Sequence, residues 1–516
     1  MLAYRVRRGI DELVMLAGAT FGALIIATFA QRSVFAGFSI AASLYMVGIA
    51  VIFAKPRMGV YFLIFFTLAG EPFAMPWWPF TKGGSAAESV LFIDDRLVAS
   101  PFEGYIIVTF VAMVLHRLRS GEAFRVATPF TIPTILFAGG TAIGVLWGAA
   151  TCGVLALAIN QTRAILVIPL VYLIGINLLD RTSIRPVLWS IITAVLVETG
   201  FSLYFIFSVL SPSDRADLFE SGDSPIAHFI AVQMNVVFFL LAAVMLLRKS
   251  SLALRIALPI LIVPIGVVYI IAERRSAIGG LLIAGALLMY VLSRRQPGRF
   301  WAIGPAAGVL LTGYCAAFWN STSSAGFPAQ AIKSQIVSDQ ASGADSSSDL
   351  YRAAENWNLV FTLKSDPLLG IGYGKPFPTP IPLQDISDAF PLWQYFPHNS
   401  LLGLWAFGGA LSIAAWLYLT FAGVRGGVRA SLDARGPDDV LTAVSGLGIV
   451  AMVAIYSYVD ITFDQQTMLL FAIGLVLIDV ATKTNKLDDE AEALAPPDEI
   501  ELGESDARRK RGNVGV

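Results

Sequence analysis

One histidine at the end of a long polar loop is the residue of this chain best placed for acid–base chemistry. His398 directly precedes an apolar run that begins near Asn399. Because an imidazole can take a proton near neutral pH, His398 is a candidate general base. The alternative is a residue at a membrane interface that starts a helix. We interpret His116 and His228, which flank other polar segments, as ordinary surface histidines.

Four arginines are candidates for binding an anion. Arg352 lies in the same loop as the histidine, Arg274 and Arg275 stand together at the end of one apolar run, and Arg163 opens another. A guanidinium group stays charged and binds phosphate through two parallel hydrogen bonds. The pattern predicts that Arg275 and Arg352 hold an anionic headgroup, with Arg274 and Arg163 as further contacts. The alternatives are a snorkelling pair for Arg274 and Arg275, and a topology anchor for Arg163.

The turn over residues 367–374 adds glycines to this constellation. Backbone amides at Gly370 and Gly372 can approach a phosphate closely, although such a run is also typical of a simple turn. We group Gly370, Gly372 and Asn399 as candidate substrate-binding residues.

The chain shows little sign of a metal site or a cofactor. The two cysteines, Cys152 and Cys315, lie in or beside apolar segments and are interpreted as small core residues. Asp94 and Asp95 form a carboxylate pair, which we interpret as solvated loop charge. The sequence therefore predicts chemistry without a metal and without a cofactor.

The composition places these residues on membrane-spanning helices. Of the 516 residues, 56% are hydrophobic and only 14% are charged. A soluble domain has about 25% charged residues. Apolar runs of about 20 residues, each long enough to cross a bilayer, recur along the chain. We predict an all-α fold, a polytopic transmembrane helical bundle with about 12–14 spans and a long periplasmic loop that carries short amphipathic helices.

Fourteen apolar segments are candidate spans, and two of them are doubtful. The third contains Glu71, Pro72 and Pro76 and could be re-entrant, and the tenth follows the ninth after a short polar corner. The approximate spans are 13–30, 35–54, 58–75, 101–116, 129–150, 162–179, 186–210, 227–247, 253–272, 276–293, 300–318, 399–423, 440–459 and 464–482.

The distribution of positive charge predicts the orientation. With a cytoplasmic N-terminus, the predicted cytoplasmic segments hold 19 Lys and Arg residues before the C-terminal tail, and the short outer segments hold 7. This bias follows the positive-inside rule, and both termini are predicted to be cytoplasmic. We divide the chain into N-terminal transmembrane helices (1–318), a periplasmic loop (319–397), C-terminal transmembrane helices (398–482) and a disordered cytoplasmic tail (483–516).

Within the loop, one helix is predicted on the membrane surface. Leu350, Ala354, Trp357 and Phe361 recur at helical spacing, and Arg352 falls on or near the polar side.

Taken together, these motifs resemble the O-antigen ligase and polymerase family of bacterial envelope polysaccharide enzymes. The resemblance covers about residues 225–424. The doubled arginine, the number of spans and the acidic tail depart from the family pattern. The motifs that carry the resemblance are Arg275 followed by small residues, Arg352, Trp357, Asp366-Pro367, Gly370-x-Gly372, Phe377, His398-Asn399, Leu402 and Gly408-Gly409.

The resemblance implies an inner-membrane glycosyltransferase that works at the periplasmic face. It would take a glycan from an undecaprenyl pyrophosphate carrier and pass it to a lipid A-core sugar, as a ligase, or to a carrier-linked glycan, as a polymerase. Arginines would hold the pyrophosphate and His398 would assist the acceptor hydroxyl, without a metal and with inversion. Its partners would be these glycans and the lipid bilayer, with no nucleic acid. A flippase or transporter of lipid-linked glycan, and a scaffold without turnover, remain alternatives.

Overall fold

The structure, a computed structural model, describes residues 34–70, 100–213, 228–247, 252–272, 275–321, 326–336, 343–387 and 392–494. In this part of the chain the secondary structure is helical, with no β-strand. The helices are α1 (Val34–Ala54), α2 (Arg57–Leu68), α3 (Pro101–Ser120), α4 (Thr131–Ala150), α5 (Leu155–Leu178), α6 (Ile184–Tyr204), α7 (His228–Leu247), α8 (Leu252–Ala272), α9 (Arg275–Arg295), α10 (Pro297–Phe318), α11 (Phe327–Ile336), α12 (Gly343–Ser365), α13 (Ser400–Asp433), α14 (Pro437–Val459) and α15 (Gln465–Leu494).

Ten helices among the described residues are long and apolar enough to cross a membrane. They are α3 to α7, α9, α10, α13, α14 and α15, with α6 extended over Arg181–Val209. This confirms the predicted all-α polytopic fold. Every predicted span from the second to the fourteenth coincides with a helix, and the first lies outside the described residues.

Four predicted boundaries differ from the structure. Helix α15 continues to Leu494, so the first residues of the tail predicted to be disordered are helical. In the third span the helix α2 ends at Leu68 and has only 12 residues, and residues 71–75 of that predicted span lie outside the described part of the chain. Helix α5 begins at Leu155, before Arg163 rather than at it. Helix α13 runs on to Asp433 and is kinked at Gly409, whose φ of 73° is not helical. A glycine tolerates this left-handed conformation at no steric cost, which explains why the kink lies there.

The arginines of the predicted cytoplasmic segments meet their partners at one end of the bundle. Arg125 forms a salt bridge of 2.5 Å with Asp479, whose side chain is buried. The other contacts are Arg57–Asp180, Arg117 to the Asn177 carbonyl, Arg181–Asp439 and Arg295 to the Leu432 carbonyl. The five arginines fall in segments that the charge bias assigned to one face, and Asn177 and Asp479 lie near the ends of the predicted spans that lead to it. Which face of the membrane this is stays a prediction.

The C-terminal helices form the centre of the bundle. In the apolar stretches of α14 and α15, 89% of the residues are buried, whereas none are buried in the apolar stretch of α10. Gly446 lies against the carbonyl of Gly474, and Gly448 lies against the ring of Phe239. Small residues at such positions let helices approach closely inside a membrane. The candidate site is built where this packed core meets the long loop.

Candidate functional site

Helix α12 confirms the predicted loop helix and presents its polar side to the protein. Glu355 and Asn358 are almost completely buried there. The Asn358 side chain donates to the Ile381 carbonyl at 2.8 Å and accepts from the Ile381 amide at 2.9 Å. These two bonds fix the proline-rich segment that follows against α12.

His398 is paired with Glu355, a residue that the sequence analysis did not select. The Nδ1 atom of His398 lies 3.2 Å and 3.3 Å from the two carboxylate oxygens of Glu355. The backbone N–H of His398 also donates to Glu355 at 2.9 Å. An ionised carboxylate only accepts hydrogen bonds, so opposite an ionised Glu355 a neutral imidazole would carry its proton on Nδ1 and present the Nε2 lone pair. This is the arrangement that a histidine base requires.

Buried polar atoms with no hydrogen-bond partner in the described part of the chain lie on α12 within a few residues of Glu355. Arg352 is three residues from Glu355 on the same side of α12. Among the described residues, the Arg352 Nε, the Tyr351 hydroxyl and the Asn356 Oδ1 are buried without a hydrogen-bond partner. Leaving such groups unpaired costs free energy, so they favour a polar ligand at this place.

Tyr351 adds a neutral donor next to the histidine. Its ring meets the imidazole edge to face, with 5.7 Å between the ring centroids. Burial raises the pKa of Tyr351 to about 12, and the charge of Glu355 acts in the same direction. The phenol therefore keeps its proton at physiological pH and can donate a hydrogen bond.

Hydrogen bonds fix the segment after His398 to the start of α13 and to residues 460–462, which follow α14. Asn399 caps α13, and its side-chain oxygen accepts from the Leu402 amide at 3.0 Å. The Ser400 hydroxyl donates to the Asp460 carbonyl at 2.9 Å and accepts from the Thr462 amide. A substrate contact by Asn399 stays a prediction, and the side-chain oxygen already accepts one hydrogen bond in the cap.

The glycine turn is inserted into the kink of α13. Gly370 and Gly372 have φ values of 67° and 84°. The Ala410 amide turns away from the helix to the Leu368 carbonyl, and the vacated Ala406 carbonyl accepts from Ile371 at 2.8 Å. The amide of Gly370 donates to Asp366, and that of Gly372 to Phe407. The predicted phosphate contact through these two amides would require both bonds to open.

Gly372→Ala separates packing from phosphate binding. A Cβ at residue 372 would lie 2.4 Å from the backbone nitrogen and Cα of Gly148, and the positive φ would be strained. We therefore expect a lower thermal unfolding temperature and less folded protein. A variant with native unfolding temperature and a raised KM for the donor would instead support the phosphate contact.

Arg163 already has an anion as its partner. Its Nε donates to Glu103 Oε1 at 2.6 Å, and a terminal nitrogen contacts the other carboxylate oxygen. Glu103 also completes the N-terminal cap of α3 with Ser100. The pair ties α5 to α3, as expected for an anchor. Binding of a substrate phosphate by Arg163 stays a prediction, and it would compete with Glu103.

Several residues of the predicted site lie outside the part of the chain that the structure describes. Arg274, Asp94 and Asp95 are not among the described residues, and neither are the side chains of Arg275 and His228. The backbone of Arg275 begins α9. His116 is exposed on α3, as predicted. Among the described residues, no group of three or more His, Cys, Asp and Glu side chains could hold a metal ion.

The interpretation of the cysteines as core residues is wrong for Cys152. This side chain is exposed, and Cys315 is half-exposed on α10. Cys152 lies in the turn between α4 and α5, where its φ of 67° is left-handed. The turn projects the side chain outwards, which hydropathy alone does not reveal.

A pocket lies directly behind the His398 segment. Its cavity volume is about 30 Å³. Tyr373 lines it with a hydroxyl that is buried and has no partner within the described residues. Other lining residues are Gln161, Ile165, Tyr395, Phe396, Pro397, Ser400, Phe407 and Phe463. The space beside the histidine is thus mostly apolar, with isolated polar groups.

Comparison with known proteins identifies the part of the chain that carries this site. Residues 260–417 match the O-antigen ligase family model. The O-antigen ligase match contains Arg275, Arg352, Glu355 and His398, and it confirms the resemblance predicted from the motifs. No curated protein matches the chain significantly. Together with the ten apolar helices, the O-antigen ligase match indicates a multi-pass membrane enzyme of polysaccharide assembly that acts on lipid-linked glycans.

Proposed function

We propose that the chain transfers a glycan from an undecaprenyl pyrophosphate carrier to the hydroxyl of an acceptor sugar, in O-antigen or exopolysaccharide polymerisation or ligation. The observation that carries this proposal is the contact between His398 and the buried Glu355, beside Arg352 on the same helix. A base held by a carboxylate, next to a cation with a buried unpaired nitrogen, suits an acid–base reaction on a phosphorylated donor.

The transfer is a single displacement. The acceptor oxygen attacks the anomeric carbon of the donor sugar, and the bond from that carbon to the carrier pyrophosphate breaks. His398 Nε2 takes the proton of the acceptor hydroxyl. Because the nucleophile enters opposite the leaving group, the configuration at the anomeric carbon is inverted. Glu355 stabilises the imidazolium that forms and holds its orientation.

Arginines stabilise the leaving pyrophosphate. Negative charge grows on its oxygens as the bond breaks, and fixed cations stabilise that charge without reorganisation. We assign this role to Arg352 and Arg275, with Arg274 and Arg163 as further donor contacts. Segment 366–374 is bonded to α13, so we do not expect this part of the loop to move independently of that helix when the donor binds.

The reaction takes place at the periplasmic face of the bacterial inner membrane, with both termini in the cytoplasm. We expect Gln384→Cys, in the exposed part of the loop, to react with an impermeant thiol reagent added to intact spheroplasts. Ser120→Cys, exposed at the opposite end of the bundle, should react only after permeabilisation. Both variants belong in a Cys152→Ser, Cys315→Ser background. The reverse labelling pattern would place His398 in the cytoplasm and contradict the assignment.

The transfer needs no metal ion. We expect turnover to survive dialysis against EDTA, because arginines supply the charge that a divalent cation supplies in other phosphate chemistry. The measurement is product formation before and after chelation, followed by addition of Mg²⁺ or Mn²⁺. Loss of activity that either ion restores would overturn this part of the proposal and direct attention to Asp94 and Asp95.

Product analysis tests the proposal as a whole. Purified protein is incubated with a carrier-linked glycan and an acceptor, and mass spectrometry looks for the new glycosidic product. Carrier-linked glycan as the sole acceptor should be extended by a polymerase, whereas a ligase should require a lipid A-core acceptor. A transporter or flippase would bind the same donor and form no product with either acceptor.

A further inference from the structure

Helix α12 turns a row of large apolar residues outwards, and its inward side holds buried polar residues together with the buried leucines Leu359 and Leu363. Leu350, Trp357 and Phe361 are 71%, 51% and 42% exposed, whereas Glu355 is 1% exposed. A helix on the surface of a soluble protein normally shows polar and charged residues on its outward face, so these large exposed apolar residues are unusual. The outward face of α12 therefore needs apolar surroundings.

The apolar surface continues into the turn that follows the helix. Leu368 and Leu369 are 74% and 46% exposed. The rings of Trp357 and Phe361 are nearly parallel, with an angle of 13° and a centroid distance of 6.0 Å. We define the apolar stripe as Leu350, Trp357, Phe361, Leu368 and Leu369. Exposed apolar patches of this kind mark interaction sites in proteins.

Two tryptophans hold the turn at the ends of membrane-spanning helices. The indole N–H of Trp147, in the last turn of α4, donates to the Gly370 carbonyl at 3.0 Å. The indole N–H of Trp405, near the start of α13, donates to the Pro367 carbonyl at 2.8 Å. Tryptophans are enriched where spans meet the membrane–water interface. The turn thus lies at the level where the bilayer surface meets α4 and α13.

We propose that the apolar stripe inserts into the lipid bilayer beside α4 and α13. The turn that carries Leu368 and Leu369 is bonded to Trp147 of α4, and the neighbouring Leu146 is 69% exposed. An amphipathic helix at such a surface lies in the plane of the interface, buried by about 5–10 Å at the boundary between headgroups and acyl chains. This contact does not depend on the proposed function. If that function holds, it places Arg352 within about one helix diameter of the lipids, at the level of a lipid-linked pyrophosphate.

A fluorophore at the stripe tests the insertion without any activity measurement. Phe361→Cys and Leu368→Cys are labelled with bimane in the Cys152→Ser, Cys315→Ser background, and the full chain is reconstituted in phosphatidylcholine nanodiscs. Gln384→Cys, exposed in the same loop, is the matched control. We expect blue-shifted emission at 361 and 368 and loss of most of it when the lipid carries a nitroxide at acyl carbon 5. The control should be quenched by iodide from the aqueous phase instead.

Two outcomes would overturn the proposal. Red-shifted emission at both stripe positions, quenched by iodide like the control, would place the stripe in water. Blue-shifted emission that the lipid nitroxide does not quench would show that protein covers it, either a second copy or another segment of this chain. Position 368 keeps the test valid if Phe361→Cys fails to fold, because Leu368 lies in a turn and is largely exposed.

Discussion

Replacing His398 with alanine should lower turnover by about 10²–10⁴, the usual contribution of a positioned acid–base residue. The variant should remain folded, because the His398 backbone amide, which bonds Glu355, and the Asn399 cap do not need the imidazole. The measurement is product formation with saturating donor and acceptor. His116→Ala, an exposed histidine at the other end of the bundle, is the matched control and should have native turnover.

Two further substitutions separate proton transfer from orientation. His398→Gln can still hydrogen-bond a hydroxyl but cannot take its proton, so it should be nearly as slow as the alanine variant. Glu355→Gln keeps an acceptor for Nδ1–H and loses the charge that stabilises the imidazolium, so its loss should be smaller but clear. Near-native turnover in His398→Gln would reject the base and leave orientation as the role. If every substitution of His398 reduced the amount of folded protein, the residue would be structural.

Replacing Arg352 with alanine should lower turnover by about 10²–10³, the scale for losing one group that stabilises charge in the transition state. Lysine should restore little of this, because a point charge cannot reproduce the planar fork of a guanidinium. The loss should appear mainly in kcat if Arg352 acts on the leaving group, and mainly in the KM for the donor if it only binds the ground state. Both constants should therefore be measured.

Arg119→Ala is the matched control for this substitution. Arg119 is exposed near the end of α3, at the opposite face of the bundle, and its removal should leave both constants unchanged. Native activity in a folded Arg352→Ala protein would contradict the assignment and give α12 a structural role only. A loss of folded protein that lysine repairs would point to packing of the arginine stem rather than to its charge.

Features that depend on neighbours along the chain could be predicted from the sequence. The apolar runs predicted the membrane-spanning helices, because a helix satisfies its own backbone hydrogen bonds within the run. The spacing of Leu350, Trp357 and Phe361 predicted α12 and its apolar face, because residues at these intervals lie on one side of a helix. His398 and Arg352 were predicted as site residues from the chemistry of their side chains. In the structure His398 contacts Glu355, which lies three residues after Arg352 on α12.

Contacts between distant segments were decided by the tertiary structure alone. Glu355 lies 43 positions before His398, and no local pattern marks it as the partner of the imidazole. The pairing of Arg163 with Glu103 joins residues 60 positions apart, and the sequence did not predict it. The turn at Gly370 and Gly372 is positioned by a kink in α13. Sequence periodicity indicates which face of a helix is apolar. It does not indicate which polar groups meet, because side chains from different helices come into contact only when the helices pack.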